Sequence, residues 1–85
     1  MTGAEFKRIR KSLEMERGEF ALLIGYRGSD RNNETKIKRL EDGEQVPLYI
    51  ARFVWLIQLY FHTHNGNLPS WPNHLRFEGS KQPWM

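Results

Sequence analysis

Apolar positions in this chain recur at intervals of three and four, the period of a helix with one buried face, in four separate runs. The first, Phe6, Ile9 and Leu13, follows Thr2-Gly3-Ala4-Glu5, a Thr-x-x-Glu sequence whose hydroxyl and carboxylate each satisfy an orphan amide at a helix start. Helix 1 is therefore expected from Thr2, with Lys7, Arg8 and Lys11 in solvent and Arg10 beside the stripe. The second run, Phe20, Ala21, Leu23 and Ile24, predicts a helix from about Glu16 to Ile24 that stops at Gly25, with Met15 packed just ahead of it. Gly18 weakens that helix, since glycine costs up to ~1 kcal/mol against alanine in a helix interior.

The third run is sparse. At about 100° per residue, Asn33, Ile37 and Leu40 share one side of a helix from Asp30 to Glu41, while Arg31, Asn32, Thr35, Lys38 and Arg39 fall opposite. Tyr26-Arg27-Gly28-Ser29 is the turn that leads in, and Asp42-Gly43 is the stop. The fourth run extends from Pro47 to about His62 and is apolar almost all round, with Arg52 and Gln58 its clearly polar interior positions. A helix apolar on every side must be covered on every side. Three short helices cover one face, so the other points to a second copy of the chain or to the C-terminal tail.

Asn65-Gly66-Asn67 ends helix 4, and the remaining stretch carries three prolines and no sustained period. One helical turn started by Ser70 is expected there. Trp71, Leu75 and Phe77 are too apolar for a freely solvated tail and are expected to pack on helix 4 or on a partner, whereas residues 79–85 are expected to fray. The predicted class is all-α, with one helical domain over residues 1–64 and an irregular tail over 65–85.

Eighty-five residues suffice for a single modest core. The absence of cysteine excludes disulfides and thiolate zinc sites, and no run of eighteen apolar residues or basic-then-apolar leader is present, so a cytoplasmic protein without a membrane span is expected. The net charge of +3 is mild. It is unevenly built, from ten Lys or Arg against nine acids in residues 1–46 and three against one in residues 47–85. Local clusters therefore say more than the total, and two stand out: Lys7-Arg8-Ile9-Arg10-Lys11, and Lys36 with Lys38-Arg39.

The outward side of helix 3 is made of amides, a hydroxyl with a methyl, and guanidinium groups, which are the side chains that bond base edges and phosphates. A polar helix face alone is an ordinary solvated surface, and its surroundings give it meaning. His62, His64 and His74 do not make a metal site, because ligands two apart do not share a helix face and no carboxylate accompanies them. Tyr49, Trp55 and Tyr60 sit in the most apolar helix and read as core or interface rather than as base-stacking platforms. No nucleophile-base pair, phosphate-cradling glycine loop or paired carboxylates suggest an enzyme, and no cofactor is implied.

Phe6 and Arg10, Phe20-Ala21-x-x-Ile24-Gly25, Thr35-Lys-Ile37-x-x-Leu40-Glu41-x-Gly43 and Val46-Pro47, in that order, give residues 4–62 a resemblance to the helix-turn-helix domain of the Cro/C1 repressor class, the XRE family. The resemblance covers roughly seven tenths of the chain. It implies a four- to five-helix domain with helix 3 in the major groove and a symmetric dimer on a palindromic operator. It also implies an internal ion pair between Arg10 and Glu41, and base-reading places at Asn33, Glu34, Thr35 and Arg39 with phosphate contacts at Lys36 and Lys38. The chain departs from the pattern at Glu16 and Arg17, where the family has Ser or Thr followed by a phosphate-touching Gln that Arg17 would replace. It also carries about six additional residues between Gly25 and Ile37, which bring in Arg31 and Asn32 as further candidates. Arg39, for guanine, and Asn32 or Asn33, for adenine, are the favoured base readers.

The expected function is that of a sequence-specific double-stranded DNA-binding regulator, a dimeric autoregulatory repressor resembling those of phages, restriction–modification systems and mobile genetic elements. Trp55, Ile57, Phe61 and Trp71 are the residues expected near a homodimer interface. The competing reading is a helix-turn-helix-shaped protein-binding module, antiactivator- or antitoxin-like, that does not need DNA; Asp30, Glu34 and the modest net charge speak for it.

Overall fold

The computed structural model describes residues 1–75, and within them the chain is all-helical, with four α-helices and one short 3-10 turn. Helix α1 spans Gly3–Ser12 and opens on the expected capping box: the Thr2 hydroxyl accepts from the Glu5 amide at 3.1 Å and the Glu5 carboxylate accepts from Thr2. Helix α2 spans Arg17–Leu23, one residue shorter at each end than its apolar pattern suggested, and Gly25 closes it in the left-handed region at φ 95°. The Tyr26 amide then reaches back to the Ala21 carbonyl, satisfying an end-of-helix acceptor. Helix α3 occupies Asp30–Glu41 as expected, capped by the Ser29 hydroxyl. Helix α4 runs over Leu48–Thr63, with Pro47 just outside it, and ends through Asn65 and Gly66, both at positive φ. The one helical turn of the tail is a 3-10 turn at Asn73–Leu75, closed by the Leu75 amide on the Pro72 carbonyl, so it starts beyond Ser70, the expected starter.

Phe6, Ile9 and Leu13 of α1, Phe20, Ala21 and Leu23 of α2, Ile37 and Leu40 of α3 and Ile50, Val54 and Ile57 of α4 meet in one core, joined by Met15 and Val46 from the connections. Phe6 and Phe20 meet edge to face, ring centroids 5.2 Å apart, an arrangement that suits the ring quadrupoles. Tail residues Leu68 and Trp71 pack onto this core, Trp71 stacking on Phe53 at 6.4 Å, while Leu75 remains exposed in the single chain. Phe77 and residues 79–85 lie outside the described residues.

The cover of α4 corrects the expected interface set. Ile57, offered as a dimer residue, is 5 % exposed and belongs to the core of the single chain. Phe61 and Trp71 are half-buried against the same core, and only Trp55 of the four stands in solvent. A helix apolar all round gives no sequence sign of which side its own domain takes. Leu48, Tyr49, Leu56 and Leu59 are the exposed apolar residues of α4 that the sequence reading left out of that set. Among the described residues no helix is long and apolar enough to cross a membrane.

One close approach fixes how α1 meets α3. A Cβ on Gly3 would stand 2.5 Å from the Glu41 carbonyl oxygen and 2.6 Å from that of Leu40, and both are backbone atoms with no rotamer to change. Gly3→Ala is therefore expected to destabilise the chain by ~1–3 kcal/mol, the range for forced overpacking, and to lower its urea midpoint. A midpoint equal to that of the unmodified chain would show that α1 does not need this contact.

Candidate nucleic-acid interface

The inward side of α3 is sealed by Ile37, Leu40 and Asn33, and its C-terminal end is anchored by charge. Glu41, the last residue of α3, places Oε2 2.6 Å from Arg10 Nε of α1 and Oε1 3.1 Å from Arg17 Nε of α2. Arg10 also donates through Nη1 to the Met15 carbonyl at 2.9 Å, so a buried guanidinium finds both a counter-charge and a backbone acceptor. The Glu41 side chain is 1 % exposed. Burial pushes its carboxyl pKa up, but the hydrogen bonds and charges of Arg10 and Arg17 outweigh burial and hold it below the ordinary carboxylate range. The Arg10–Glu41 pair implied by the resemblance is present. Arg17, expected at a phosphate, is the third member, and no local sequence signal marks a partner 24 positions away.

The turn before α3 has its own lock. Asn33, 1 % exposed, accepts from the Gly28 amide through Oδ1 and donates to the Gly28 carbonyl through Nδ2, both at 3.1 Å. This corrects the assignment of Asn33 as a base reader: its amide is spent on the enlarged turn and does not face out. The inward position that the helical wheel gave it is the one observed. Tyr26, half-buried at the start of this turn, lies under Lys36, whose Nζ is 5.3 Å from the ring centroid. Burial, with the neighbouring Tyr49 and Glu44, raises the Tyr26 phenol pKa.

Arg31, Asn32, Glu34, Thr35, Lys36, Lys38 and Arg39 are all exposed. Thr35, itself exposed, donates its hydroxyl to the Arg31 carbonyl at 2.9 Å, so its oxygen keeps its acceptor lone pairs. Glu34 lies along the flank toward α2, where a Cβ on Gly18 would be 3.8 Å from it. Asn32, Thr35 and Arg39 thus offer an amide, a hydroxyl acceptor and a guanidinium on one rigid helix, bordered by Arg31, Lys36 and Lys38. Comparison with protein-family models, curated proteins and solved structures finds no match to this chain. Geometry and residue chemistry must therefore carry the functional reading.

Two outcomes follow from the locks. Because the folded-state pKa of Glu41 lies below its unfolded value, the stability it contributes is present above the ordinary carboxylate range and lost as pH falls through the folded pKa. Glu41→Gln should cost ~3 kcal/mol near neutrality, as for a buried charge left without its partner, and the gap to the unmodified chain should narrow in acid unfolding titrations. A gap that stays constant with pH would contradict the role given to this carboxylate. Asn33→Ala should cost only ~1–2 kcal/mol, since the freed Gly28 groups can reach water, and should speed hydrogen exchange at the Gly28 amide. Unchanged exchange there would show that the clasp does not hold the turn.

Proposed function

We propose that this chain is a sequence-specific double-stranded DNA-binding regulator that reads the major groove with α3, in a helix-turn-helix formed by α2, residues 24–29 and α3. The observation that carries this reading is the division of α3: Asn33, Ile37 and Leu40 face inward while Asn32, Thr35 and Arg39 face out beside Arg31 and Lys38. A helix whose last residue is tied to two neighbouring helices presents those groups in fixed register, which base readout requires. Its resemblance to the Cro/C1 class supports the same docking, with Arg39 on guanine and Asn32, now without Asn33 as a rival, on adenine. Arg17 retains Nη groups beyond its bond to Glu41 that suit a phosphate. In this reading the protein is an autoregulatory repressor that works as a pair of copies on a palindromic operator.

The protein-binding alternative draws support from Asp30, Glu34 and Asp42, all exposed along or beside α3, which offset the four cations Arg31, Lys36, Lys38 and Arg39. Anisotropy titrations with duplex DNA from upstream of the chain's own gene separate the two readings. Arg39→Ala is expected to lose ~1–3 kcal/mol of discrimination at one base pair per half-site. Lys38→Ala is expected to weaken all duplexes about equally and to reduce the salt slope by about one. Folded variants that bind as the unmodified chain does would rule out this docking, and no saturable binding by the unmodified chain would favour the protein-binding module.

A further inference from the structure

Lys36 is an exposed cation of α3 that stands over a ring. Its Nζ lies 5.3 Å from the Tyr26 ring centroid, within reach of the attraction between a positive charge and the negative face of an aromatic. Both partners are held at their roots. Lys36 leaves the backbone of α3 beside the fully buried Ile37, and the Tyr26 amide donates to the Ala21 carbonyl at 3.0 Å while its side chain packs on the core. The enlarged turn lies between these two residues. Asn33 binds both backbone groups of Gly28, at 3.1 Å each, so the chain leaving Tyr26 and the first turn of α3 are fixed to one another.

The charge of Lys36 is not spent within the described residues, where the ion pairs that form, Arg10–Glu41 and Arg17–Glu41, use other groups. A ring neutralises no charge. It restricts a long side chain that would otherwise sample many rotamers, and it leaves the ammonium donors for an incoming anion. An ammonium restricted in advance loses less freedom when that anion arrives, which is how preorganisation adds affinity without a new contact. Burial, with Tyr49 and Glu44, pushes the Tyr26 phenol pKa up, so the ring stays neutral beside the cation.

We propose that Tyr26 is a positioning residue for DNA binding: its ring sets the Lys36 ammonium at the flank of α3 to take a phosphate of the duplex backbone, and the enlarged turn serves to bring the ring there. This inference rests on the DNA-binding reading of α3. A backbone phosphate is the group that fits, because the pair offers a fixed charge with free donors and nothing that tells one base from another.

Two measurements on the full chain test it. Without DNA, proton NMR should find the Lys36 side-chain methylenes shifted upfield by the ring, with the shift kept in Tyr26→Phe and lost in Tyr26→Leu. With duplex DNA, Lys36→Met should weaken upstream and unrelated duplexes alike and lower the salt slope by about one. Tyr26→Leu leaves the charge in place, so it should weaken both about threefold with the slope unchanged, while Tyr26→Phe should bind as the unmodified chain does. In the Lys36→Met background, Tyr26→Leu should add nothing. Absence of the upfield shift from the unmodified chain overturns the contact, and a Tyr26→Leu loss that persists in the Lys36→Met background overturns the positioning role, since the ring then acts through the fold alone. If Arg39→Ala loses discrimination while Tyr26→Leu and Lys36→Met bind unchanged, the reading of α3 stands and this inference falls. No duplex binding by the unmodified chain overturns both.

Discussion

One carboxylate ties the amino-terminal three helices together. Glu41 ends α3, Arg10 lies in α1 and Arg17 begins α2, so the bonds of 2.6 and 3.1 Å hold the orientation of α3 against both neighbours at its C-terminal end. The carbonyls of Leu40 and Glu41 rest against Gly3, where no side chain fits, so α1 and α3 meet at closest backbone approach just beside the charge cluster. At the other end, Asn33 clasps Gly28. A short helix pinned at both ends can present a polar face in one register without owing its stability to that face, which leaves the face free to serve recognition. A buried Arg10–Glu41 pair, with the part-exposed Arg17 as a second cation, adds little net stability over an apolar core. Its consequence here is geometric.

Much of this was legible beforehand because it is periodic or local. The apolar spacings located all four helices, the Thr2-x-x-Glu5 box started α1, and the wheel separated Ile37 and Leu40 from Asn32, Thr35 and Arg39 correctly. Arg10 with Glu41 came from the resemblance rather than from spacing. Three features were not legible, each for a physical reason. Arg17 joins Glu41 across the fold, so nothing near it in sequence marks the pairing. Asn33 pointed two ways, inward by periodicity and outward by the resemblance, and periodicity prevailed because the enlarged turn supplies both a donor and an acceptor for its amide. Ile57 could not be separated from Trp55 and Leu56, because in a helix apolar all round the burial of a given side depends on where the other helices sit.

These corrections change what the surface can do. With Asn33 turned inward, Asn32, Thr35 and Arg39 remain as the exposed row on α3, while Lys36 stands over the Tyr26 ring. Ile57, Phe61 and Trp71 pack against the single chain's own core, so the apolar side chains that α4 leaves in solvent are Leu48, Tyr49, Trp55, Leu56 and Leu59.

Selection from a random-sequence duplex pool by the unmodified chain, read by sequencing, tests the central claim that the outward face of α3 reads DNA. The account predicts enrichment of an inverted repeat whose half-sites are centred about one helical turn, ~34 Å, apart, with guanine and adenine at fixed places in each half. A recovered pool indistinguishable from the input would contradict it.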